Sequence, residues 1–278
     1  MVLYNELIIF KEEKINQTVL LINKQTKELL MSDLKGKTAI VTGASSGIGE
    51  ATAKSLAKTG VNVVITARRE NRLKELKQSI ESNGGEALSI PCDVTNKEEV
   101  YAVAEKTKAN YGSIDILINN AGVMPLSYMK NLHVEEWEQM IDVNLKGVLY
   151  NIAAVLPVMR EQKAGHIINV SSVAGRKLFP GAAVYCATKF GVTALSEGMR
   201  MELSPSDNIK VTAIEPGAVA TELTHTITDE EITDGFLRQL ADLEMLESED
   251  IADSIMYALT QPGRTNVSEI LVMPTDQG

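Results

Sequence analysis

Cysteine is nearly missing from this chain: Cys92 and Cys186 are the only two among 278 residues. That excludes a disulfide framework, and the apolar or motif surroundings of both suit buried, reduced thiols. Histidine is also scarce, and His133, His166 and His225 have no metal-like partner spacing, so no metal site is expected. Basic charge is short. With 27 Lys and Arg against 37 Asp and Glu, the formal net charge is -10, which leaves neither a nucleic-acid footprint nor a polybasic membrane patch. Long apolar runs are lacking too, and no stretch reaches the roughly 18 to 20 uninterrupted apolar residues of a spanning helix. A cytoplasmic location is the expectation. What the chain does have is a 44% hydrophobic content, enough for one sizeable core.

Short β-branched runs alternate with longer amphipathic ones. Runs beginning at Thr38, Val61, Glu86, Ile114, Gly165, Ile209 and Ser268 read as seven strands. The stretches 48–59, 70–82, 96–110, 135–162, 184–204 and 248–261 read as helices between them. Such alternation implies an α/β fold of Rossmann type: a doubly wound, seven-stranded parallel sheet in a single domain, covered by helices on both faces. No internal repeat is visible. In such a sheet ligands bind beyond the carboxyl ends of the strands, where strand order reverses.

The motifs cluster at those ends. TGASSGIG, Thr42 to Gly49, follows the first strand and opens a helix. Gly43, Gly47 and Gly49 allow a tight turn and close backbone approach to a pyrophosphate at the helix N-terminus, with Ser45, Ser46 and Ile48 between them. A glycine turn without a ligand is the plainer alternative. At the end of the second strand stand Arg68 and Arg69, with no acidic residue to meet an adenosine ribose. Guanidinium suits a 2'-phosphate, which favours NADP(H) over NAD(H). Solvated charge at a helix start is the competing reading, more so for Arg69 than for Arg68. Further on, Tyr185 and Lys189 are spaced four apart, one turn of helix, thirteen residues after Ser172. A cation there can lower a phenol's pKa toward usefulness near neutrality, so the pair suits proton transfer during hydride exchange between a nicotinamide and a carbonyl or alcohol.

On these motifs, in this order, the chain from Lys35 to about its end resembles the short-chain dehydrogenase/reductase family in its TGxxxGxG and YxxxK form. The resemblance implies that Tyr185 gives the proton in reduction, that Lys189 also holds the nicotinamide ribose, and that Ser172 polarises the substrate oxygen. It implies that Asn144 supports a water-linked proton path to the lysine, although a helical asparagine can also kink or cap. Asp93, beside Val94, matches the position that meets the adenine amino group, with an Asx-type cap as its alternative. In NNAG, Asn120, Ala121 and Gly122 line the cofactor ribose, while Asn119 serves the sheet more than the ligand. The resemblance also implies that Pro216 and Gly217 turn the chain toward the nicotinamide, and that Val219 and Thr221 bind it or the pyrophosphate. A cover over the substrate is expected at about 220–247, with Met124, Leu126, Phe179 and Leu223 making a partly apolar pocket.

Met31 followed by SDLKGKTAIVTG resembles the usual start of such an enzyme. Residues 1–31 are therefore expected to be an extension, interrupted by charges at Lys11 to Lys14 and poor as a secretory signal, and residues 32–278 the domain. A partner-binding helix is the alternative for the extension. The ending NVSEILVMPTDQ and Glu215 before the Pro-Gly pair resemble the NADP-dependent 3-hydroxy acid dehydrogenases acting on serine and related acids. A broad aldehyde or ketone reductase, or a 3-oxoacyl reductase, is the runner-up. An NADPH-sensing or scaffold protein is the alternative from another class, set against the presence of both tyrosine and lysine. The helices at 135–162 and 184–204 correspond to those through which family members pair, so a homotetramer or homodimer is expected.

Overall fold

The computed structural model describes residues 33–233, 235 and 243–277. The expected extension at 1–31 and part of the expected cover lie outside the described residues.

Seven strands form one parallel sheet in the order β3-β2-β1-β4-β5-β6-β7. They are β1 (Thr38–Thr42), β2 (Asn62–Ala67), β3 (Glu86–Pro91), β4 (Ile116–Asn119), β5 (Gly165–Val170), β6 (Ile209–Pro216) and β7 (Glu269–Val272). The helices bounded within the described residues are α1 (Gly47–Lys58), α2 (Glu70–Ser82), α3 (Lys97–Tyr111), α4 (Val134–Ile141), α5 (Gly147–Gln162), α6 (Ala183–Asp207) and α7 (Ser248–Leu259). The central strands are apolar on both sides because helices cover both sheet faces. Leu56 of α1, Leu73 and Leu76 of α2 and Ile251 and Ile255 of α7 pack on one face. Val100 and Val103 of α3, Ile152 and Val155 of α5 and Val192 and Met199 of α6 pack on the other. A third cluster, including Val123, Met124, Leu126, Met140, Tyr185 and Ile232, gathers at the ends of the strands.

The helix expected over 135–162 runs from Val134 to Gln162 but carries a π-bulge. Between α4 and α5 the residues Asp142–Lys146 form a π-helical turn, which holds Asn144. The Asn144 side chain anchors the bulge: Oδ1 accepts from the Val123 N–H and Nδ2 donates to the Val123 carbonyl, both at 2.9 Å. Two bonds to one backbone residue fix the register of the bulge against the strand-end loop. By length and composition, the run Val134–Gln162 could cross a membrane, with mean hydropathy 1.3 over its best window. Part of its apolar surface packs on the sheet face and on the cluster at the strand ends, while Val134, Ile141 and Leu149 are exposed. Cys92 and Cys186 are both buried and unpaired, and burial pushes the Cys92 thiol up to about 11.

Strand order reverses between β1 and β4, so the crevice there faces the glycine turn after β1 and the NNAG segment after β4. Thr42 joins the two. Its Oγ1 accepts from the N–H groups of Asn120 and Ala121, at 3.0 and 3.1 Å.

Candidate active site

The glycine turn is shaped by close approach. Gly43 and Gly47 have φ of +63° and +57°, the left-handed region that costs L side chains dearly. A Cβ on Gly49 would stand 2.5 Å from both the Gly43 carbonyl oxygen and Asn120 Nδ2. The Asn120 side chain donates to the carbonyls of Thr42 and Gly43, at 3.0 and 3.2 Å. Asn119, by contrast, is buried and donates to Asn169 Oδ1 across β4 and β5, a role within the sheet.

One cavity of about 860 Å³ runs from this turn to the catalytic candidates. Gly43, Ser45, Ser46, Gly47 and Ile48 line its start, followed by Arg68, Arg69, Asp93, Val94, Asn120, Ala121 and Gly122. Ser172, Tyr185, Lys189, Pro216, Gly217, Val219 and Thr221 line its far part. Gly49 and Asn144 lie behind that lining, the first under Gly43 and the second about 3.4 Å from the position a Gly122 Cβ would take.

Arg69 is not a free surface charge. Its Nε and Nη2 donate to Ser45 Oγ at 3.1 and 2.9 Å, Nη2 to Ser46 Oγ at 2.6 Å, and Nη1 to Glu222 at 2.6 Å. Arg68 is exposed at the cavity edge. Asp93 has both features weighed from the sequence. It lines the cavity with Val94, and its Oδ1 accepts from the Thr95 N–H and hydroxyl at 2.9 and 2.8 Å, an Asx-type turn. The cap of α3 is Asn96, which accepts from the Glu99 N–H.

At the far end Ser172 begins the short turn Val173–Gly175, accepting from the Ala174 N–H at 3.1 Å and donating to the Pro216 carbonyl at 3.4 Å. Tyr185 and Lys189 stand one turn apart near the start of α6, both buried. The Lys189 ammonium donates to the Val170 carbonyl at 2.9 Å and lies 5.7 Å from the Tyr185 ring centre. The lowering of the phenol expected from the spacing is not found, because burial acts more strongly and in the opposite direction. Burial pushes the Tyr185 phenol up to about 12, opposed by its hydrogen bond with Ser172. Burial pushes the Lys189 ammonium down to about 8. Asn144 does not reach Lys189 directly but bonds Thr188 Oγ1 at 3.3 Å, one residue before it.

The chain matches the short chain dehydrogenase family over residues 37–232. It belongs to that family. An uncharacterized oxidoreductase of Staphylococcus saprophyticus is 45% identical over 251 residues, covering 89% of this chain and 99% of the relative. Another from Listeria monocytogenes is 47% identical over 245 residues, covering 88% and 98%. Among solved structures, the closed form of serine dehydrogenase complexed with NADP+ is 35% identical with a TM-score of 0.79, over 87% of this chain and 96% of that one. A metagenomic short-chain oxidoreductase in complex with NADP is 34% identical with a TM-score of 0.75, over 88% and 100%. This short-chain dehydrogenase is thus an oxidoreductase by family, and its fold is the one its residues foretold.

Several residues around the site carry no signal in the sequence. Glu222, the partner of Arg69, lies 153 positions away. Gln277 Oε1 accepts from the Ala218 N–H at 2.9 Å and so supports the Pro-Gly loop. The segment after β6 is laced to the loop after β4: Met124 N–H donates to Thr226 Oγ1 at 3.0 Å, and the buried Asp229 accepts from Asn131 Nδ2 at 2.8 Å. Its far end returns at Leu246, which exchanges backbone bonds with Ala218 and Ala220 at 3.0 and 2.8 Å.

Proposed function

We propose that this short-chain dehydrogenase uses NADP(H) to interconvert an alcohol and a carbonyl whose substituent is largely apolar. The observation that carries the reading is the meeting of Ser172, Tyr185 and Lys189 at one end of a cavity whose other end holds Arg69 against Ser45 and Ser46. The donor set at that other end fits a dinucleotide with a 2'-phosphate: a glycine cradle open to a pyrophosphate, two guanidiniums and two hydroxyls. When bound there, the nicotinamide gives or accepts the hydride.

The chain's own residues handle the oxygen and the proton. In reduction the Ser172 hydroxyl polarises the carbonyl oxygen, and Tyr185 Oη transfers its proton to that oxygen as negative charge develops. The Lys189 cation, 5.7 Å from the centre of the phenol ring and shielded from water, stabilises the phenolate left behind. In oxidation the phenolate takes the hydroxyl proton back. Val123, Met124, Leu126, Phe179, Leu223 and Ile232 line the substrate end and exclude water.

The similarity to serine dehydrogenase, with the closing residues Asn266 to Gln277, favours a second reading: a small 3-hydroxy acid as substrate. The same proposal takes 32–278 as the catalytic unit in the cytoplasm, 1–31 as an extension, and a homotetramer or homodimer paired through α4, α5 and α6. Exposed Ile141, Leu149, Phe190 and Met201 on those elements support the pairing. Following nicotinamide absorbance with NADP(H) and NAD(H), against aldehydes, ketones and 3-hydroxy acids, tests the reading. Turnover of carbonyls with NADPH that is lost in Tyr185→Phe is the expected result. Turnover confined to 3-hydroxy acids moves the assignment to the second reading, and none with either cofactor overturns both.

A further inference from the structure

Glu215 is a carboxylate with no exposure to water at all, at the end of β6 just before Pro216. Its side chain does not line the cavity, and the proton and hydride chemistry makes no use of it. Taking a carboxylate out of water costs several kcal/mol, and packed apolar residues of similar volume are often as stable. A side chain retained at such cost invites the question of what its geometry fixes.

Its contacts reach three segments of the site. Glu215 Oε2 accepts from Arg176 Nε at 2.7 Å. Arg176 directly follows Val173–Gly175, the turn that Ser172 begins. The other oxygen, Oε1, accepts from Thr193 Oγ1 at 3.1 Å. Thr193 Oγ1 stands 2.9 Å from Ser171 Oγ, and Ser171 Oγ donates to the Lys189 carbonyl at 3.0 Å. The packing is tight, since a Cβ on Gly175 would sit 2.7 Å from Ser171 Oγ and 2.8 Å from Thr193 Oγ1. Finally, the residue after Glu215 is Pro216, whose carbonyl accepts from Ser172 Oγ. Arg176 is held from outside as well, by Glu269 of β7.

We infer that the Arg176–Glu215 pair is a positioning device: it fixes the Ser172 turn, the Lys189 helix and the Pro216–Gly217 loop relative to one another. The inference rests on the catalytic reading above. A fork-shaped guanidinium against a carboxylate specifies distance and orientation, which a hydrophobic pair does not. Small misplacement of a polarising group lowers the chemical step far more than it lowers binding.

Three variants of the full chain separate positioning from stability: Glu215→Gln, Arg176→Lys and the double Arg176→Met with Glu215→Leu. The readouts are melting temperature, kcat and KM with NADPH, NADPH affinity, and the fluorescence of the bound nicotinamide. The double variant is expected to melt near the unmodified protein yet to lose kcat by roughly 10- to 100-fold with KM little changed. Its nicotinamide fluorescence should shift while NADPH affinity, set at the Arg69 end, stays within about twofold. Arg176→Lys should recover part of kcat, since the charge remains and the fork is lost. A double variant with normal kcat and normal nicotinamide fluorescence overturns the inference. If the unmodified protein turns over nothing, the catalytic reading fails by itself, and the fluorescence comparison still decides whether the pair sets the loop at the nicotinamide end.

Discussion

Arg69 Nη1 and Glu222 meet at 2.6 Å across 153 residues of sequence, joining the end of β2 to the short helical turn Glu222–Thr226. The same guanidinium also bonds Ser45 and Ser46 of the glycine turn. In the proposed cofactor site, a 2'-phosphate at this corner would meet a guanidinium already shared with a carboxylate. Both side chains are nearly half exposed, so the pair itself contributes little to stability, about 1 kcal/mol or less.

Arg69→Ala is therefore expected to weaken NADPH binding by roughly 10- to 100-fold, the loss of a charge-assisted contact, while leaving NADH binding almost unchanged. Glu222→Gln should act in the opposite direction, tightening NADPH severalfold by removing the competing carboxylate. Fluorescence titration with both cofactors, at low and at high salt, checks both expectations. The NADPH effects should shrink as salt screens them.

The pH dependence of carbonyl reduction follows from Lys189. Its ammonium is held down to about 8, so it is charged below that pH and neutral above it. Tyr185, pushed up to about 12, remains a proton donor throughout the neutral range. For reduction, kcat/KM is expected to be flat at neutral pH and to fall as pH rises through about 8, because that parameter reports the free enzyme. Lys189→Met should lower the rate by roughly 100-fold or more and abolish the inflection. Steady-state profiles from pH 6 to 10 check this, and an inflection retained in Lys189→Met would assign it to another group.

Much of this architecture was legible along the chain, and what escaped did so for identifiable reasons. The strands at Thr38, Asn62 and Ile209 announce themselves because β-branched runs buried on both faces need no partner to be recognised. Gly43, Gly47, Tyr185 and Lys189 were readable because their spacing is local, a turn or a helical step. The π turn at Asp142–Lys146 was not, because apolar periodicity runs through it and its anchor is a bond from Asn144 to Val123, 21 residues back. Glu222 and Arg176 escaped for a related reason: each looks like ordinary surface charge until folding brings Arg69 or Glu215 beside it. The bond from the Lys189 ammonium to the Val170 carbonyl also depends on β5, which the helical spacing does not contain.

Gly49 tests how tightly the glycine turn is bound to the strand-end loop. A methyl group there would press on the Gly43 carbonyl and on Asn120 Nδ2, each at 2.5 Å, and backbone cannot give way as a flexible side chain can. Gly49→Ala is expected to destabilise the protein by about 1 to 3 kcal/mol and to weaken dinucleotide binding, since the displaced Asn120 and Gly43 form the cradle. Gly198, with nothing within 4 Å of its would-be Cβ, is the control. Gly198→Ala should be neutral or slightly stabilising in the middle of α6. Denaturant melts and NADPH titrations of the two variants, side by side, separate local strain from the general effect of adding a methyl group.

His166 makes the fold sensitive to acid in a window of its own. It lies buried in β5, where Nε2 stands 2.8 Å from Thr212 Oγ1. Thr212 gives its one hydroxyl proton to the Val267 carbonyl at 2.6 Å, so His166 must donate through Nε2 and is neutral in the folded state. Burial, with Lys210 and Lys37 nearby, pushes its pKa down to about 3. The unfolded value is about 6.5, so the contribution to stability is complete above that pH and is lost progressively as pH falls toward 3. Between pH 7 and 5, before most carboxylates titrate, the loss should be about 2 kcal/mol. Urea midpoints measured across that interval should fall in the unmodified protein and stay nearly level in His166→Gln, whose amide can donate to Thr212 without ever becoming charged. Equal slopes in the two proteins would assign the acid sensitivity to other groups.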